Sequence, residues 1–341
     1  MKKAIDFTII LPVCHGGHFL RMALSSIRRL DYLSDRMEVL VAGAEQDAVS
    51  RGIVRDEAVS SGYDIFHISC ARSSRAAMLN VACAVARGRV LVFADDDCVF
   101  LPDWLQKLDD VFERENNIGV VGGLDRAGPN EPPLNIALDY VLNSFAGTGG
   151  LRSKKGPRVG KYYPKLWNMA ILREVALGVA IRGREGPSQV FNEALDVHED
   201  VELIDRIEKT GKQIIFAPEV IVMHSRDTTI LSFTRRSFNM ARTSRSVGVH
   251  RLPHISLAAF ILGMIVLTVA SVVSEPLRIV LVGTGAIYIM TLLLSAIVGF
   301  IRTRQFSIFI YVPLLLMALH FSRGLGFLFP WHSRRLKEGI T

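Results

Sequence analysis

Two stretches toward the C-terminal end, 255–274 and 279–301, run without a single charged side chain. At 1.5 Å per residue each reaches the roughly 30 Å of a bilayer's hydrocarbon core, so both are expected to be transmembrane helices. In hydrocarbon every backbone N–H and C=O must be satisfied inside the segment, which restricts these stretches to helix. A third apolar run, 306–330, carries His320 and Arg323 and ends in GLGFLFPW. Its composition admits a full crossing, a re-entrant dip or a helix along the interface. With the N-terminal part in the cytosol, a full third crossing would put Arg334, Arg335 and Lys337 outside, against the positive-inside bias. Re-entry or an interfacial position, helped by Gly324 and Gly326, is therefore the expectation.

The formal net charge of +7 belongs largely to this end: from residue 255 onward seven Arg/Lys stand against two Glu. Just before it, RDTTILSFTRRSFNMARTSRSVGVHR holds six arginines and one acid. Beside apolar spans, such a segment is expected to rest on anionic membrane lipids. Nucleic acid is not an expected partner, because no groove-reading module accompanies the arginines. The four cysteines (14, 70, 83 and 98) show no C-x-x-C spacing, which points to reduced cytosolic thiols rather than disulfides or a zinc site. The short apolar run 7–13, preceded by Asp6 and followed by no small-residue cleavage pattern, is not expected to be a secretory signal.

The remaining sequence alternates. Apolar runs of strand length at 8–13, 38–42, 64–68, 89–94 and 118–122 are separated by helical segments such as RAAMLNVACAVARG. That order indicates an α/β fold, a doubly wound and mostly parallel sheet with right-handed crossovers. The run Val90–Phe93 leads straight into Asp95, Asp96 and Asp97. Three adjacent carboxylates at a strand's C-terminal end need water, basic side chains or a metal, and alone they fit a solvated turn as well as a ligand site. Further on, AGTGGLRSKKGPRVGKYYPK lies in a stretch without acids and is expected to be a basic loop, covering substrate or simply solvated. EDVELIDRIEKTG reads as a helix with acids in its first turn and glycine as its stop, and KQIIFAPEVIVMH as two short strands broken at Pro218.

In order, FTIILPVCHGGHFLRMALSSI, RAAMLNVACAVARGRVLVFADDDCVFLPDWL, WNMAILREV and HEDVELIDRIEKTGKQIIFAPEVIVMH resemble the segments of family 2 glycosyltransferases, inverting enzymes with the GT-A nucleotide-sugar fold. The resemblance runs from about Phe7 to Arg245. It implies a nucleoside diphosphate sugar donor bound around Pro12, Asp47, Arg75, Asn80, Asp95 and Asp96. It implies a divalent metal (Mn2+ or Mg2+) on Asp97 and His224, a solvated histidine at a strand end being the alternative reading of the second. Hard oxygen and imidazole ligands suit such an ion, which would stabilise charge on the departing diphosphate. Asp200 would be the general base on the acceptor hydroxyl, with Trp167, Asn168 and Glu199 on the acceptor side. Where the family commonly carries Asp-rich sequence after its second strand, this chain has VAGAEQD, leaving Glu45 or Asp47 for the contact to base or ribose.

No Gln-x-x-Arg-Trp string occurs, so processive synthesis is not expected. The C-terminal apolar runs resemble the bacterial exopolysaccharide glycosyltransferases of the succinoglycan type, which extend a lipid-linked saccharide acceptor. Transfer to polyprenyl phosphate itself, and a catalytically inactive membrane scaffold, are the competing readings. The expected organisation is a cytosolic catalytic domain over 1–227, a basic interfacial segment over 228–254, a membrane region over 255–330 and a basic tail over 331–341. The whole is expected to be a multi-pass protein of the cell inner membrane.

Overall fold

The computed structural model describes residues 4–14, 16–72, 74–128, 131–149, 162–182, 188–195, 197–225, 228–247 and 251–329. The chain forms two compact units, Met1–Gly128 with Tyr162–Ser225, and Pro129–Lys161 with Arg226–Thr341. Pro129–Lys161, expected inside the first domain, thus groups with the C-terminal part. Residues 152–161 of the expected basic loop and the expected tail 331–341 lie outside the described residues.

The first unit opens with β1 (Phe7–Pro12), α1 (Gly17–Ile27), β2 (Met37–Ala44), α2 (Ala48–Ser60), β3 (Asp64–Cys70), α3 (Arg75–Val85) and β4 (Val90–Phe93). β5 (Cys98–Phe100), α4 (Trp104–Arg114) and β6 (Ile118–Arg126) follow. The second unit's α5 (Pro133–Asn143) and α6 (Phe145–Thr148) interrupt the chain here. It returns with β7 (Met169–Leu172), α7 (Arg173–Gly178), the small hairpin of β8 (Ile181–Arg182) and β9 (Ser188–Gln189), α8 (Glu199–Glu208) and β10 (Gln213–His224). Eight strands form one sheet in the order β3-β2-β1-β4-β7-β6-β10-β5.

Successive side chains of a strand point to opposite faces, and here both faces are covered. Phe7, Ile9 and Leu11 of β1 with Val90 and Val92 of β4 pack under α1, α2 and α4, while Ile10, Leu91 and Phe93 pack under α3 and α8. Unbroken apolar strands are what a sheet buried on both faces requires. Asp47 caps α2 by accepting the Ser50 N–H at 2.9 Å, and Ser74 caps α3 by accepting that of Ala77.

The sheet is mixed. β1 to β4 are parallel, but β7 runs antiparallel between β4 and β6, and β5 antiparallel against β10. The two strands expected around Pro218 are one strand, β10. Its register against β6 shifts between Phe216 and Ile221, so the residue without an N–H sits at an irregularity instead of ending the strand.

In the second unit, α5 and α6 join α9 (Ile230–Val247), α10 (Arg251–Ala270), α11 (Glu275–Thr303) and α12 (Ile308–Leu328). α12 is central. Its Val312, Leu315, Leu316 and Leu319 pack with Leu138 and Val141 of α5, Phe233 of α9 and Leu292 of α11. His320 of α12 meets the Tyr288 hydroxyl at 3.1 Å and the Ala146 carbonyl at 2.8 Å, linking α11, α12 and α6.

α11 and α12 are long and apolar enough to cross a membrane. The first expected span falls within α10, whose 20 residues reach about 30 Å, with an apolar stretch over His254–Ala270. The third run is a continuous helix, α12. Gly324 and Gly326 do not break it. A Cβ on Gly324 would lie 2.4 Å from Ile261 of α10, and one on Gly326 2.3 Å from the Phe238 carbonyl of α9, so these glycines let neighbouring helices approach.

Candidate active site

The three carboxylates after β4 are compensated one by one. Asp96, fully buried, accepts the backbone N–H groups of Cys14 at 3.2 Å and Gly16 at 2.6 Å, tying the loop after β1 to the end of β4. Asp95 pairs with the Arg75 guanidinium, which the first residue of α3 presents. Burial pushes the Asp95 carboxyl above its ordinary range, and Arg75 opposes that shift. Asp97 belongs to the turn into β5, and the antiparallel register there sets His224 opposite Cys98. His224 Nε2 consequently lies 3.0 Å from Asp97 Oδ1, both residues being buried.

Asp97, Cys98 and His224 form a cluster whose ligand atoms all lie within 4.8 Å of one another. Two ligands at adjacent corners of an octahedron of about 2.1 Å radius stand roughly 3.0 Å apart, so Asp97 and His224 fit a Mn2+ or Mg2+ ion. Cys98 is not suited to so hard an ion: burial drives its thiol well above the usual range, and its sulfur is turned to the Trp167 carbonyl at 3.9 Å.

A second acidic group stands at the start of α8. His198 caps the helix with φ of 68°, a conformation that costs a non-glycine residue about 1–3 kcal/mol and recurs at functional sites. It places Glu199 and Asp200 in the first turn, both buried. Asp200 Oδ2 accepts from Lys165 Nζ at 3.1 Å and Oδ1 from the Val201 N–H at 2.9 Å. Burial alone would raise the Asp200 carboxyl, but Lys165 and His198 outweigh it and hold it below its ordinary value. Glu199 moves the other way: burial and then the Asp200 charge push it up to about 7. Arg75 joins the two groups. Burial works against its charge, yet Asp95, Glu199 and Asp200 together raise its pKa above the ordinary value. Its Nε is buried with no hydrogen-bond partner among the described residues.

Residues 8–170 match Glycosyl transferase family 2, and residues 192–337 match Glycosyl transferase family 21. The chain is a glycosyltransferase, with its family 2 match confined to 8–170. Such an enzyme transfers a sugar from a nucleotide sugar. Among solved structures, the glycosyltransferase resembles mannosyltransferase PcManGT from Pyrobaculum calidifontis in complex with GDP-Man and Mn2+, at 15% identity and a TM-score of 0.63 over 95% of this chain and 87% of that one. This likeness shows the GT-A type of α/β fold. TarS 1-349 from S. aureus in complex with UDP-GlcNAc matches at 13% identity and a TM-score of 0.47, covering 70% of this chain and 66% of that one. Glucosyl-3-phosphoglycerate synthase from Mycobacterium tuberculosis, with Mn2+, UDP and phosphoglyceric acid, matches at 16% and 0.41, covering 66% and 72%. No curated protein matches the sequence.

Several residues assigned to ligands by resemblance are engaged within the glycosyltransferase itself. Asn80 donates to the Phe191 carbonyl and to Glu193, both at 2.9 Å, and accepts the Phe191 N–H at 2.8 Å, which anchors the segment before α8. Asn168 accepts from Trp104 Nε1 at 3.0 Å and donates to the Leu124 and Val220 carbonyls, both at 2.9 Å, pinning β6 to β10. Asp47 caps α2, and Pro12 ends β1 as a buried residue. Trp167 is half-buried, its ring centroid 5.2 Å from that of His224. Lys165 was missed as an individual site residue. It stands two positions before Trp167, and read in sequence it was only the last cation of a basic loop.

Proposed function

We propose that this glycosyltransferase inverts the anomeric centre and acts non-processively, moving a sugar from a nucleoside diphosphate sugar to a hydroxyl of a polyprenyl-diphosphate-linked saccharide in bacterial exopolysaccharide synthesis. On this reading the catalytic domain is cytosolic and the chain a multi-pass protein of the inner membrane. Its carrying observation is that Arg75 joins two acidic groups, Asp95 and its neighbours beside His224 on one side, Glu199 and Asp200 with Lys165 on the other. Inversion needs such an arrangement, with leaving-group stabilisation and a base serving opposite ends of one displacement.

Asp97 and His224 would hold the divalent metal, which when bound supplies Lewis-acid stabilisation of the departing diphosphate. Arg75, through its unpartnered Nε, would meet donor phosphate oxygens, while Asp95 fixes the guanidinium. On the acceptor side, Asp200 Oδ2 takes the hydroxyl proton as the oxygen bonds to the anomeric carbon. The carbon–oxygen bond to the diphosphate breaks, and its electron pair leaves with the diphosphate. Lys165 keeps Asp200 ionised before the hydroxyl arrives. The two apolar helices and the acid-free arginine-bearing α9 support the membrane assignment.

The test incubates protein in nanodiscs with a panel of nucleotide sugars, Mn2+ and a polyprenyl-diphosphate-linked saccharide, and reads the product's anomeric configuration by NMR. Elongation of the saccharide with inverted configuration is expected. Retention of configuration, or transfer only to polyprenyl phosphate, overturns the reading.

A further inference from the structure

α9 and α12 leave a groove of about 440 Å³ between them in the second unit. Its α12 wall is a stripe of exposed apolar side chains, Leu314, Met317, Phe321 and Leu325, spaced three or four residues apart and so on one helix face about 16 Å long. The opposite wall, from α9, carries Arg235 and Asn239. The face of α12 that carries Val312, Leu315, Leu316 and Leu319 is buried in the unit's core, while the stripe, with Phe309 and Ile310 near the helix start, is left uncovered by the unit.

We propose that this groove binds the polyprenyl chain of an anionic, phosphate-headed lipid, with Arg235 at the phosphate. The proposal rests on the reading above that the acceptor is lipid-linked, and it assigns that lipid a place. α12 is long and apolar enough to lie in hydrocarbon, and a charged side chain in hydrocarbon is costly, so an arginine on such a groove marks headgroup level. α9 has no acidic residue of its own, and its Arg235 and Arg236 are exposed, which leaves an anion as the complementary partner. Small side chains, Ala318 and Ser322, complete the α12 lining and make room for a methyl-branched chain, bulkier than a straight acyl tail.

The experiment uses the full chain in nanodiscs and a polyprenyl phosphate bearing a diazirine at its apolar end, with labelled peptides identified by mass spectrometry. The expected result is labelling of α12 between 314 and 325, displaced by unlabelled polyprenyl phosphate at least tenfold more effectively than by phosphatidylglycerol. Equal displacement by phosphatidylglycerol, or labelling elsewhere, overturns the proposal. Arg235→Gln, at an exposed position, and Ala318→Trp, which fills the groove, should each cut labelling about tenfold, whereas Arg236→Gln, outside the lining, should not. Metal-dependent hydrolysis of the nucleotide sugar should stay unchanged in all three. If Ala318→Trp and Arg235→Gln elongate the lipid-linked saccharide with unaltered KM, the groove assignment falls while the transferase reading stands. If labelling follows the expected pattern but the wild type elongates no lipid-linked saccharide, the acceptor reading falls and the groove stands.

Discussion

At the scale of single residues, the site works by giving neighbouring carboxylates different partners. Asp96 is consumed by backbone N–H groups, Asp95 by Arg75, and Asp97 faces His224, so three adjacent acids carry three distinct environments. Asp97→Asn keeps volume and removes the charge. Its expected outcome is loss of metal-dependent transfer with an unchanged melting temperature, checked by activity across Mn2+ concentrations and by Mn2+ binding in electron paramagnetic resonance. Asp200→Asn should lower transfer on the order of a hundredfold to ten-thousandfold at every pH, with little change in donor affinity. Lys165→Ala takes away the largest influence lowering the Asp200 carboxyl, so the acid limb of kcat/KM should move to higher pH, and Lys165→Arg should restore it. Glu199 bears on stability. Its folded pKa is raised, so its contribution is fully present below the unfolded value near 4.5 and is lost as pH rises through about 7. The depressed Asp200 acts only at lower pH, so melting temperature should fall between pH 4.5 and 7 in the wild type and stay flatter in Glu199→Gln.

At the scale of elements, β6 shows how closely the strands are fitted. A Cβ on Gly123 would stand 2.1 Å from the Val220 carbonyl and 2.3 Å from Asn168 Nδ2. Gly123→Ala must therefore push away the amide that pins β6 to β10, leaving the Leu124 and Val220 carbonyls and Trp104 Nε1 in need of partners at about 1–3 kcal/mol each. A drop of several degrees in melting temperature is expected, measured by circular dichroism. This is also the scale at which sequence reading reached its limit. β1, β2, β4 and β6 were legible because strands buried on both faces are largely apolar, whereas β3, an edge strand with Asp64 and Phe66 exposed, was legible only from the short apolar run around Ile65, Phe66 and Ile68. The antiparallel course of β7 was not, since four apolar residues read the same in either direction. The acids of the candidate site were legible as acids. The Asp97–His224 pair depends on the β5–β10 register across a long sequence gap, and only the family resemblance suggested it. That Asn80 and Asn168 also tie segments of the fold together was not legible, because an amide's partners lie on other segments and leave no local trace.

At the scale of the whole molecule, the chain leaves its first unit after Gly128 and returns at Tyr162, having contributed α5 and α6 to the second. Ending the chain after Ser225 would remove α9 to α12 but keep α5, stripping the cover from Leu138, Val141 and Leu142. Such a truncation is expected to aggregate without detergent. A version that also replaces 129–161 with a Gly/Ser linker should remain monodisperse in size-exclusion chromatography, and equal behaviour of the two would refute the argument. The excursion also sets a timetable. α5 is complete at Asn143, whereas α12 begins at Ile308, and at about 5–20 residues per second the ribosome needs on the order of ten to thirty seconds to travel between them. Throughout that interval the nascent chain is building its sheet around a segment whose partners have not yet been synthesised, which makes the bare face of α5 the place where a chaperone is most needed.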